Sequence, residues 1–231
     1  MIATTLRGGL VGSGVVSSEK ARSSGVGSGG RVRWGSETAL VDDDEARRRL
    51  VAAAGRCLVA RGTTRLTVDD VAREAAVARS TVYRYFRSRD ELVLGVILSR
   101  VDAGMRRVLG MLEHPDDAAR SVVDLIMHSV GLVAGDPLNE AMFATDSRWL
   151  VTSLELRSEA VVDAFHQHLG PLLARWRAEG QLRGDLDLRE TSRWMNTVAL
   201  LLLGPPWTQR PDRAKREFVE NYVVPGLLPR R

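Results

Sequence analysis

The sequence predicts an all-α fold, and three observations predict it. Ala, Leu, Arg and Glu dominate the 231 residues and favour helices. Apolar residues recur three and four apart in successive segments that begin or end on capping residues. No stretch alternates apolar and polar residues as a half-buried strand does, and no internal repeat is present.

The bulk figures narrow the class. The chain is 44% hydrophobic and 27% charged, ordinary for a soluble globular protein, and long enough for one large domain or two small ones. The longest apolar run is Val198 to Leu203, far below the roughly 18 residues that span a bilayer, so no membrane partner is expected. Cys57 stands alone, which rules out an internal disulfide and fits a reducing cytoplasm. Net charge is +4, and five cations against Glu19 within residues 1–36 account for all of it. Within the otherwise neutral remainder, residues 65–89 hold six arginines against Asp69, Asp70 and Glu74. Positive charge gathered in this way suits an anionic partner.

Residues 1–40 form a Gly/Ser-rich basic segment without a period, expected to be a disordered tail. Its apolar pieces are too interrupted for a secretory signal. Its Arg- and Ser-rich start also resembles a transit peptide, but a flexible extension or a start codon placed too early is the preferred expectation. The first helix begins near Asp42 and buries Leu50, Ala53, Ala54, Cys57 and Leu58 on one face. Four acids at its start complement the helix dipole, and Gly62 ends it. Thr67 caps the second helix, with Asp70 placed to reach back. Val68, Val71, Ala72 and Ala75 form its apolar stripe, and residues 76–78 make a corner. A third helix spans about 79–86 with Val82 and Phe86 inward. Ser88 to Glu91 matches a capping box, so a fourth helix starts there and runs toward Glu113, stopped by His114-Pro115. Further helices are expected over about 116–134, 137–145, 155–179, 188–203 and 211–224, with a short segment near 147–153. Gly170-Pro171 should kink the 155–179 helix, and Gly180 should cap it.

Two short helices joined by a tight corner make a helix-turn-helix. With Val82 set toward the core, 100° per residue places Ser80, Thr81, Tyr83 and Arg84 on the outer arc, flanked by Arg79 and Tyr85. Arg can pair with guanine O6 and N7, Ser and Thr can serve base edges or phosphates, and a tyrosine hydroxyl can donate to phosphate. Thr67, Ser88 and Arg89 stand at helix starts, where free N–H groups favour phosphate. The candidate DNA-binding residues are therefore Thr67, Arg79, Ser80, Thr81, Tyr83, Arg84, Tyr85, Ser88 and Arg89.

The stretch TVYRYFRSRDEL is similar to the signature T-[LIV]-Y-x-[HY]-F-x-[SN]-[KR]-[DE]-[DE]-L of the tetracycline-repressor (TetR) family of transcriptional regulators, and LTVDDVAREAAV resembles the helix and corner before it. The resemblance covers residues 44–98 in detail. It departs at Ala76, where the family usually carries Gly; a left-handed alanine costs of order 1 kcal/mol. The resemblance implies a helix-turn-helix DNA-binding domain over 41–88. It also implies a C-terminal helical ligand-binding and dimerisation bundle over 89–231, an obligate homodimer, a double-stranded DNA operator and an unidentified small-molecule effector. GQLRGDLDL looks like the family's connection before its dimer helices, which here carry Trp194, Met195, Val198, Leu201, Leu202, Phe218, Tyr222 and Val223. Met127, His128, Met142, Phe143, Trp149, Phe165, His166 and Trp194 are candidate pocket residues, with plain core packing as the competing role of each.

The expected function is a ligand-responsive repressor released from a palindromic operator. The alternative is a DNA-binding regulator without ligand control, or an activator. No nucleophile elbow, P-loop, paired carboxylates or metal spacing argues for an enzyme. No cofactor or metal is expected, since His166 and His168, two apart on a helix, face away from each other.

Overall fold

The computed structural model describes residues 43–133 and 135–229, so the expected tail over 1–40 lies outside the described residues. Among the described residues every regular element is helical. The first four helices are α1 (Asp43–Arg61), α2 (Val68–Glu74), α3 (Arg79–Tyr85) and α4 (Arg89–Gly110). After them come α5 (Ala118–Gly131), α6 (Pro137–Phe143), α7 (Arg148–Arg157), α8 (Glu159–Ala178), α9 (Leu188–Leu202), α10 (Asp212–Phe218) and α11 (Val224–Leu227). A π-helical turn over Val219–Val223 joins the last two.

The N-terminal elements follow their local signals closely. Gly62 closes α1 with φ 64°, a left-handed conformation that costs glycine little. At α2 the Thr67 hydroxyl accepts from the Asp70 amide at 3.2 Å, and the Thr67 amide donates to the Asp70 carboxylate at 2.9 Å. This reciprocal cap satisfies donors that a helix start otherwise leaves open. The corner residue Ala76 has φ 55°, so the expected strain is present. Ala76→Gly should raise stability by about 0.5–1 kcal/mol, the left-handed penalty less the entropy a glycine adds to the unfolded chain. A urea titration of both proteins measures the difference.

Several boundaries and one cap differ from expectation. Helix α3 ends one residue early, because Phe86 is extended at φ −137°, although it remains buried. The box at α4 is shifted: Ser88 Oγ accepts from the Glu91 amide, but the Glu91 carboxylate takes the Arg87 amide instead of that of Ser88. Helix α4 stops at Gly110, before His114-Pro115. The single helix expected over 155–179 is two, broken by extended backbone at Ser158 (ψ 113°). The Gly170-Pro171 pair does lie inside α8, and a Cβ on Gly170 would stand 2.9 Å from the His166 ring, so only glycine leaves that ring its place.

One continuous core joins the two parts of the chain. Leu50, Ala54 and Leu58 of α1 pack with Val71, Val82 and Phe86. Leu92, Val96 and Ile97 carry that core along α4 to Val101, Met105 and the helices beyond. Helix α4 lies against α1 and also against α5, α7 and α8, and α1 touches α6. A polar clasp adds to this contact: the Thr64 amide donates to Ser147 Oγ at 2.8 Å, and the Thr63 hydroxyl donates to Asp146 at 3.0 Å. No described helix is long and apolar enough to cross a membrane.

Candidate nucleic-acid interface

Helix α3 is anchored on one side and open on the other. Val82 is 0% and Phe86 3% exposed, while Arg79, Ser80, Tyr83 and Arg84 are exposed and Thr81 and Tyr85 are half-buried. The helix has no side-chain cap at Ala78, so its position rests on this packing and on polar struts to its neighbours.

Two struts arrange its cations. Arg79 donates to the Asp69 carboxylate and to the Tyr83 hydroxyl, both at 3.1 Å, with its guanidinium 5.3 Å from the Tyr83 ring centroid. Asp69 thus orients a cation of the next helix, a role that its place in the first turn of α2 did not reveal. Arg84 lies 4.8 Å from the Tyr85 ring centroid and donates to its hydroxyl at 2.7 Å; that hydroxyl donates in turn to Asp43 at 3.0 Å. Tyr85 therefore ties α3 to the start of α1, and its hydroxyl already has both partners.

The helix starts are also occupied in part. The Thr67 hydroxyl donates to Asp70 at 2.7 Å, and with the Thr67 amide it holds the Asp70 carboxyl down to about pKa 2. Ser88 is used as a cap, and Arg89 pairs with Asp90 at 3.1 Å. The arrangement presents the Ser80, Tyr83 and Arg84 side chains together, backed by Arg79. Thr67, Ser88 and Arg89 stand on the adjoining helix starts. Hydroxyls and guanidinium groups on one exposed helical face match the donor and acceptor edges of a major groove.

A second feature lies among α4, α5, α6, α7, α8 and α9: a cavity of about 130 Å³ with mostly apolar walls. Of the eight pocket candidates, Met142, Phe143 and Phe165 line it. Met127, His128, Trp149, His166 and Trp194 stand outside it. Trp149 is 75% and Trp194 49% exposed, because each falls on the outward side of its helix. His166 bonds Ser192 on α9 at 3.1 Å, while His168 bonds Asp102 on α4 at 3.1 Å. The cavity also holds two charged residues that sequence reasoning passed over. Arg100 donates to Asp136 at 2.7 Å. Glu155 is 7% exposed, and burial pushes its carboxyl from an ordinary 4.5 up to about 7.

Comparisons with known proteins agree with this geometry. The profile of bacterial regulatory proteins of the tetR family matches residues 50–96, which run from α1 into α4. An uncharacterized HTH-type transcriptional regulator of Mycobacterium tuberculosis is 24% identical over 184 residues, spanning 78% of this chain and 85% of that protein. The transcriptional repressor QsdR of R. erythropolis, itself of the TetR family, superposes with a TM-score of 0.61 at 16% identity over 82% of this chain and 99% of its own. RolR, solved with resorcinol, superposes with a TM-score of 0.56 at 18% identity over 80% of this chain and 88% of its own. The mycobacterial relative and QsdR are transcriptional regulators, not enzymes. Signature, helical architecture and relatives agree, and residues 50–96 match the DNA-binding segment of the tetR family of bacterial regulatory proteins.

Proposed function

We propose that the chain is a dimeric repressor that holds a near-palindromic DNA operator through the outer face of α3 and leaves it when a small molecule fills the cavity. The observation that carries the DNA half is the two-sidedness of α3: Val82 is fully buried while Ser80, Tyr83 and Arg84 are open to solvent. In this reading residues 43–88 form the reading domain and 89–229 the effector and dimer domain. Arg79, Ser80, Thr81, Tyr83 and Arg84 face the groove. Thr67, Ser88 and Arg89 approach phosphates through helix-start amides, and Tyr85 braces the helix. A twofold dimer would set the two reading helices about 34 Å apart, one turn of DNA, or somewhat more.

A dimer surface on these helices would draw on the apolar groups that stay exposed. Met195, Val198, Leu202 and Val223 are buried in the subunit's own core. Trp194 and Leu201, seven apart on α9, remain exposed, as does Tyr222 at 75%. These three, beside the half-buried Phe218, would meet a second copy.

Coupling has a physical route. Helix α4 lines the cavity with Ile97, Val101 and Met105 and carries Ser88 and Arg89 at its other end. The clasp of Thr64 on Ser147 ties the loop before α2 to the start of α7, the helix that bears Glu155. A ligand that binds the released state a few kcal/mol better than the operator-bound state would free the DNA. Ser147→Ala should destabilise the protein by about 1–3 kcal/mol, because it leaves the buried Thr64 amide without an acceptor. Denaturant unfolding measures that loss.

The whole reading is tested by selecting bound DNA from a random pool and comparing promoter output with and without the protein. A palindromic consensus and lower output are expected. Higher output would mean activation, and a pool without a consensus would remove the operator.

A further inference from the structure

We propose that the cavity takes a small, mostly apolar cation, an amine about one ring in size whose ammonium sits against the Glu155 carboxyl. This rests on the cavity being the effector site and adds the chemical class of its ligand. Glu155 is 7% exposed, lines the cavity, and has no hydrogen-bond or ion-pair partner among the described residues. A buried carboxyl without a partner is costly, and a cation brought by a ligand removes that cost.

Two other polar groups of the wall are already engaged, and the third, Asn196, is uncharged. Ser129 donates to the Leu125 carbonyl at 2.7 Å, and Asn139 donates to that of Leu132 at 2.8 Å. Arg100, the other charged residue lining the cavity, has its charge met by Asp136 at 2.7 Å. Its Nε–H has no partner among the described residues, so an anion seated on Arg100 is the competing outcome. Two points favour the cation. Among the described residues Glu155 lacks a counter-charge, whereas Arg100 has one, and an anionic ligand would bring a like charge into the cavity that holds Glu155. Size limits the ligand further. An apolar cavity of about 150 Å³ holds benzene, and this one measures about 130 Å³. Ile97, Met105, Phe165 and Met195 supply walls for a ring or a short branched chain.

The test titrates the full-length protein calorimetrically with benzylamine, benzyl alcohol and benzoate, which share a ring and differ in charge. Benzylamine is expected to bind at least tenfold more tightly than benzyl alcohol, with benzoate weakest. Glu155→Gln should erase the preference for the amine while keeping the alcohol; its melting curve shows whether it folds. The ranking on the unaltered protein decides the matter if the variant does not fold. Equal binding of amine and alcohol, or tightest binding of benzoate, overturns the cation assignment and leaves the effector site standing. No binding by any of the three overturns both.

Discussion

Arg84→Ala is expected to lower the preference for operator over random DNA by about 5- to 150-fold, the worth of one bidentate contact to a base at about 1–3 kcal/mol. Arg84 is exposed on the open face of α3, and among the described residues its guanidinium is held only by Tyr85, through a 2.7 Å hydrogen bond and ring contact. Among the described residues no carboxylate pairs with it directly, so turning it toward a base breaks no ion pair within them. Arg79 differs, being fixed between Asp69 and Tyr83. Arg89→Ala should act in another way. Arg89 stands at the start of α4 and would have to trade Asp90 for a phosphate in the proposed complex. Its loss should weaken operator and random DNA alike and reduce the slope of log K against log salt by about one. Gel-shift titrations at several salt concentrations separate the two. An Arg84→Ala protein with unchanged discrimination would remove that residue from the reading face.

Glu155→Gln is expected to stabilise the protein above pH 7 and to change nothing comparable near pH 4. The carboxyl titrates near 4.5 when unfolded and near 7 when folded, because burial disfavours its charge. Below 4.5 both states hold the proton and the group contributes no slope. Between 4.5 and 7 the folded state keeps a proton that the unfolded state has released, so stability falls as pH rises. Above 7 both are ionised and the full penalty stays, about 3 kcal/mol at roughly 1.4 kcal/mol per pH unit. Glutamine keeps the shape and cannot ionise, so its own hydrogen-bonding cost is a constant offset. Denaturant unfolding of both proteins at pH 4.5 and 8 should show a gap that widens by about 3 kcal/mol, and parallel curves would mean that Glu155 is solvated when folded. Asp70 acts in a separate window with the opposite sign: the stability it lends is present above about 4 and is lost as pH falls through about 2.

Helices α2 and α3 and the start of α4 were legible because their signals are local. Thr67 with Asp70, Gly62 and Ser88 are each read within a few residues, and Val82 with Phe86 fixes which side of α3 faces inward. The cavity was legible only in Met142, Phe143 and Phe165. Its walls come from six helices, and nothing near Glu155 in sequence separates a solvated glutamate from one turned into a cavity. The large aromatics misled for a related reason. Trp149 and Trp194 fit an apolar stripe by type, yet their helices turn them outward. The break at Ser158 has neither Gly nor Pro, and its side chain makes no cap, so only backbone geometry reveals it. Asp69 and Asp43, the partners that hold Arg79 and Tyr85, are distant in sequence from the groups they hold.

Methylation protection tests the central claim most directly. Dimethyl sulfate attacks guanine N7 in the major groove and adenine N3 in the minor groove. With DNA selected by the protein, guanines in two half-sites should be protected, and Arg84→Ala should expose one guanine in each half-site while the rest stay covered. Protection confined to adenine N3, or a pattern unmoved by Arg84→Ala, would contradict a major-groove role for the outer face of α3.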